Sequence, residues 1–126
     1  MSAREVSIID LIKISNKLVP IVFTTHDFYT LLVLSLATVS EYSRVKQTIS
    51  KKTRVNLSIA FISDLITNLC DRHLITETEA HQFRQDYKDK NRDLGNIIRA
   101  YISVANTIHP HCTTQPKPKS TLCLLQ

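Results

Sequence analysis

The chain has 126 residues with 16 Lys+Arg against 11 Asp+Glu, a net charge of +5, five His, three Cys, four Pro, one Gly and no Trp. Average usage of about 7% would give roughly nine glycines, and phosphate-cradling loops, tight hairpins and close backbone approach all depend on glycine. Rossmann, P-loop and hairpin-rich β folds are therefore disfavoured, while 43% hydrophobic residues are enough for the core of one domain without disulfides or a metal.

The prolines stand at 20, 110, 116 and 118, which leaves residues 21–109 free of them. A stretch that long, with a single glycine, reads as helix. Arg4 and Glu5 near the start, with no apolar region and cleavage site after them, fit no secretory signal. The longest uncharged apolar run, residues 28–40, is shorter than the about 20 residues needed to span a bilayer. Three scattered cysteines suit a reducing compartment, so a cytoplasmic protein is expected.

A first helix is expected from about Arg4 to Val19, with Ile8, Leu11, Ile12, Ser15 and Val19 on one face and an end before Pro20. The second starts after Thr24 or Thr25, either of which suits an N-cap. Phe28, Leu32, Ser35, Leu36, Val39, Tyr42 and Ser43 form its stripe, and Leu31, Val33 and Leu34 extend the apolar surface beyond it. This second helix is expected to be buried on more than one side.

Lys51, Lys52 and Thr53 interrupt the pattern, after which Phe61, Ile62, Leu65, Ile66 and Leu69 form a third stripe ending near His73. The sequence Thr76-Glu77-Thr78-Glu79 is a capping box and marks the next start. From there Ala80, Phe83, Tyr87, Leu94, Ile98, Tyr101, Ala105 and Ile108 keep helical spacing, as one helix or as two separated by the polar residues 86–93. The expected architecture is an all-α, antiparallel up-down four-helix bundle over residues 1–108, with a flexible, disordered C-terminal tail over 109–126.

Charge is the most informative chemistry. Arg44, Lys46, Lys51, Lys52 and Arg54 fall in a stretch without any acid, and such a cluster attracts phosphate backbones. The competing account is a solvated helix end whose cations complement the C-terminal dipole. Along the last helix, Arg84, Lys88, Lys90, Arg92 and Arg99 alternate with Asp86, Asp89 and Asp93. Pairs such as Asp86 with Lys90 and Asp89 with Arg92 are expected to neutralise one another, which leaves Arg92 and Arg99 as secondary contacts.

Cys70, His73, His109, His111 and Cys112 include zinc-ligand types, but their spacing matches no common structural zinc pattern. Cys70 reads better as a core residue and His73 as a helix C-terminal cap, and no metal or other cofactor is expected. The final residues, Cys123-Leu124-Leu125-Gln126, have the form of a prenylation box, with Lys117 and Lys119 upstream. One prenyl chain with two lysines gives only weak membrane attachment. No nucleophile elbow, metalloprotease motif or carboxylate cluster on an apolar face is found, so the chain is not expected to be an enzyme.

Residues 64–80 (DLITNLCDRHLITETEA) followed by 89–98 (DKNRDLGNII) carry a resemblance. They resemble the four-helix-bundle family that includes the accessory variability determinant of diversity-generating retroelements. That family has a leucine-rich third helix, a short Leu/Ile-then-Ser/Thr turn, and a fourth helix with an acidic residue followed by Gly-Arg-x-Leu-Gly-Gly-Trp. Asp89 takes the acidic place, and Arg92, Leu94 and Gly95 match the Arg-x-Leu-Gly core, whereas Asn91, Asn96 and Ile97 depart from it. Element order and lengths agree over roughly Ile8 to Ser103, with residues 44–54 in the place of the family's positively charged region. A glycine inside a helix costs about 1 kcal/mol relative to Ala, so Gly95 is expected at a close helix crossing.

The resemblance implies a small basic bundle that forms a homo-oligomeric ring, a pentamer in the family. The ring binds a reverse transcriptase and template RNA, supports cDNA synthesis and catalyses nothing itself. Arg44, Lys46, Lys51, Lys52 and Arg54 are the expected phosphate contacts, with Arg92 and Arg99 beside them; Tyr42 and Tyr101 are the aromatic residues in reach for base stacking. The rival expectation is a helical protein–protein interaction adaptor, of the viral or secretion-accessory kind, with membrane attachment through Cys123 as a variant of it.

Overall fold

The computed structural model describes the backbone of residues 6–114 and the side chains of residues 6–103. Among them lie four helices and no strand: α1 (Ile8–Val22), α2 (Phe28–Val45), α3 (Lys51–Asp71) and α4 (Glu77–Thr114).

Each helix start has a side-chain cap. The Ser7 hydroxyl accepts the Asp10 N–H at 3.2 Å and opens α1, later than Arg4. Leu11, Ser15, Leu18 and Val19 form its buried face, whereas Ile8 is 44% exposed and lies off that face. The expected stop before Pro20 does not occur. Pro20 has no N–H to give the Asn16 carbonyl, but it sits on the exposed side of the last turn, so only one bond is lost. The Phe23 N–H then closes α1 onto the Val19 carbonyl at 2.9 Å.

Asp27, not Thr24 or Thr25, caps α2, because its carboxylate accepts the Thr30 N–H at 2.9 Å while the Thr25 hydroxyl donates to it at 3.0 Å. The expectation that α2 is enclosed on several sides holds: Leu31, Leu32, Leu34, Ala37 and Val39 are all fully buried. α2 packs against α1, α3 and α4, and the backbones of α1 and α4 do not come within 8 Å of each other (Cα–Cα) among the described residues. Burying a leucine this completely contributes about 1.5–3 kcal/mol.

Lys51, Lys52 and Thr53 do not interrupt the pattern. They are the first turn of α3, with Ser50 as N-cap accepting the Thr53 N–H at 3.2 Å, and the break falls at residues 46–50 instead. Ile49 anchors that break: it is buried, and its N–H donates to the Ser43 hydroxyl at 3.1 Å. α3 ends in a left-handed cap. His73 has φ 59°, its N–H donates to the Cys70 carbonyl at 3.0 Å, and the Leu74 N–H reaches back to Leu69 at 2.9 Å.

The capping box forms as read: Thr76 Oγ1 accepts the Glu79 N–H at 3.0 Å and Glu79 Oε1 accepts the Thr76 N–H at 2.9 Å. α4 then runs as one helix through the polar stretch, past Pro110 to Thr114, so residues 109–114 belong to it. The rest of the expected tail, 115–126, lies outside the described residues. Leu36, Val55, Ile98 and Ile102 form a small apolar cluster of their own, which brings the start of α3 beside residues 98–102 of α4.

Candidate nucleic-acid interface

The basic segment straddles the α2–α3 junction. Arg44 lies in the last turn of α2 and Lys46 is its C-cap, where partial negative charge on the free carbonyls favours cations. Lys51 and Lys52 occupy the first two positions of α3 and Arg54 closes its first turn, where the free N–H groups carry partial positive charge. Dipole complementarity therefore accounts for Arg44 and Lys46 but not for Lys51 and Lys52, which add to a positive pole.

Arg44 and Lys46 have carboxylate partners from outside the acid-free stretch. Glu41 takes Arg44 in a two-point contact, with Nη2 to Oε2 at 2.6 Å and Nε to Oε1 at 3.1 Å. That contact, first by hydrogen bonding and then by charge, raises the guanidinium pKa further. Lys46 Nζ lies 4.0 Å from Asp10 Oδ2 on α1. Lys51 and Lys52 are exposed, and among the described residues no carboxylate pairs with either. Arg54 is half-buried.

The secondary pair divides. Arg99 is exposed next to Ile98 and so belongs to the same end of the molecule as Lys51 and Lys52. Its Nη1 donates to Asn96 Oδ1 at 3.3 Å and lies over Gly95. Arg92 is also exposed but sits about 10 Å back along α4, at 1.5 Å per residue. The expected neutralising pairs are absent among the described residues: no ion pair joins Asp86 to Lys90 or Asp89 to Arg92, and Asp86 accepts from Gln82 Nε2 at 3.1 Å instead.

No neighbouring helix makes the closest approach to Gly95: the three heavy atoms nearest to a Cβ there all belong to the Arg99 guanidinium, with Nη1 at 3.2 Å. Tyr42 offers no base-stacking face either. It is 4% exposed, and its hydroxyl accepts the Ser7 N–H at 3.3 Å. Tyr101 remains half-buried, with burial the main influence raising its phenol pKa.

The other end of the molecule holds a cleft of about 470 Å³ lined by His26, Cys70, His73, Glu77 and Glu79 among others. Among the described residues no group of three or more His, Cys, Asp or Glu side chains is arranged to hold a metal. Cys70 is a half-buried free thiol packed against the core, and the side chains of His109, His111 and Cys112 lie outside the described set. Cys123 does too. No described helix is long and apolar enough to cross a membrane. No family model, curated protein or solved structure matches this chain.

Proposed function

We propose that the chain is a non-catalytic, cytoplasmic accessory protein that holds RNA phosphates at its α2–α3 end and presents template RNA to a reverse transcriptase, working as a homo-oligomer. The resemblance to the accessory variability determinant family supplies the reverse transcriptase, the RNA template and the ring. The carrying observation is that Lys51 and Lys52 stand exposed and without a carboxylate partner at the positive pole of α3, with Arg99 at the same end. Cations so placed position a phosphate backbone without reading its sequence.

The up-down antiparallel arrangement belongs to the same proposal. Three contacts support it: Ser7 with Tyr42 at 3.3 Å, Arg84 with Thr67 at 3.3 Å, and Tyr87 with the Ile59 carbonyl at 3.2 Å. The first two bring the start of one helix toward the far part of the helix it packs on, and from Arg84 to Tyr87 along α4 the partner in α3 moves back from Thr67 to Ile59, as antiparallel neighbours require.

The test is a filter-binding or gel-shift titration of RNA against salt. The affinity is expected to fall linearly in log–log form, by about 0.7 per phosphate engaged for single strands. Lys51→Glu/Lys52→Glu lowers both the affinity and that slope, with an unchanged circular dichroism spectrum because both side chains are exposed. Wild-type affinity in that variant overturns the assignment.

A further inference from the structure

A second surface lies on the flank of α1 and is separate from the exposed pole of α3. The side chains at 10, 13, 14, 17, 18 and 21 follow one another at helical spacing along α1 and, with the end of α2, line a groove of about 550 Å³. Its apolar floor is made by Ile14, Leu18, Ile21 and Val45. Ile21 and Val45 are 51% and 55% exposed, an unusual cost for two aliphatic side chains that share one depression.

The charges on the rim are uneven. Asp10 and Glu41 already face cations, Lys46 and Arg44 respectively. Lys13 and Lys17 are exposed and have no carboxylate partner among the described residues. The groove is thus an apolar trough with a free positive margin along α1. From Asp10 to Ile21 it runs about 16 Å, or three helical turns. An amphipathic helix lays its apolar stripe into a trough of this kind, and anchors repeat at i, i+3, i+4 and i+7.

We propose that this groove docks an acidic amphipathic helix of about three turns from a partner protein, with its apolar stripe on Ile14, Ile21 and Val45 and its carboxylates on Lys13 and Lys17. A basic or neutral helix leaves both lysines facing nothing, so charge selects the partner while the floor supplies the contact area. The site goes beyond RNA binding and leaves Lys51 and Lys52 free.

The probe is a synthetic peptide of about 15 residues with Leu at helical spacing and Glu on both flanks, titrated by fluorescence anisotropy and by amide chemical shifts. The shifts are expected to gather in residues 13–21 and 41–46. Lys13→Glu/Lys17→Glu weakens binding at least about tenfold and reverses the preference toward a Lys-flanked version of the peptide. Ile21→Asp removes binding, and since Ile21 is half exposed the fold survives it. Lys51→Glu/Lys52→Glu keeps the peptide while losing RNA, which separates the two sites. Equal affinity for the Glu- and Lys-flanked peptides, or shifts elsewhere in the chain, overturns the proposal. So does a sedimenting dimer that Ile21→Asp dissolves, because the occupant is then a second copy.

Discussion

His26 Nδ1 lies 2.9 Å from Glu79 Oε2, and this contact ties the loop between α1 and α2 to the first turn of α4. The loop is braced there from both sides. Phe23 stacks on the His26 ring at 4.9 Å between centroids and meets Phe83 edge-on at 6.3 Å. Glu79 therefore serves two partners with two oxygens: Oε1 satisfies the Thr76 N–H within the cap, and Oε2 reaches the loop.

This arrangement fixes the sign of a pH effect. The Thr76 N–H first, and His26 second, hold the Glu79 carboxyl below the ordinary glutamate value. Asp27, at the start of α2, is also held low, chiefly by the Thr30 N–H. A carboxyl with a depressed folded pKa stabilises the fold above its unfolded value, about 4.3 for Glu and 3.9 for Asp, and that stability is lost as pH falls through the lower folded value. The melting temperature is expected to decline as pH is taken from about 5 to 3, with a shallower decline in Glu79→Gln and a shallower one still in Glu79→Gln/Asp27→Asn. Parallel curves for all three proteins refute this reading.

Gly95 gives the second prediction. It lies in the interior of α4, and the only atoms that a Cβ would press on are the far end of the Arg99 side chain. A guanidinium on a flexible stem moves aside easily, so Gly95→Ala recovers helix propensity at little steric cost. The variant is expected to be more stable by about 0.8–1 kcal/mol in urea denaturation. A loss of stability would mean that the glycine is needed for a contact that Arg99 alone does not explain.

Local interactions were legible in the sequence and distant ones were not. The Thr76–Glu79 box could be read directly because its partners are three residues apart, and the burial of α2 followed from apolar residues on all its sides. Competition between neighbouring caps was harder to resolve: Thr25 supports Asp27 instead of capping α2 itself, and Ser50 draws Lys51–Thr53 into α3. In the candidate site, the positions of the cations were visible but their partners were not. Glu41 sits just outside the acid-free stretch, and Asp10 arrives from another helix, where no periodicity records the pairing with Lys46. The α1–α2 groove was hidden for the same reason, since it exists only once Val45 is placed beside Ile14 and Ile21.

The hydroxyls within the core lead to the last prediction. Ser35 donates to the Ser58 carbonyl at 2.6 Å, Thr38 to Leu34 at 2.7 Å and Ser58 to Arg54 at 2.8 Å, so these buried groups recover what they lose by leaving water. Ser40 differs from them. It is 3% exposed, and its Oγ has no hydrogen-bond partner among the described residues. A buried polar atom left unmade costs about 1–3 kcal/mol, while alanine keeps the Cβ and is the better helix former. Ser40→Ala is therefore expected to raise the unfolding free energy by about 1 kcal/mol, whereas Ser35→Ala lowers it by a similar amount because it removes a bond that is made. Urea midpoints of the two variants, shifted in opposite directions from the parent, check both signs in one experiment; a fall in both would show that the Ser40 hydroxyl has a partner in solution.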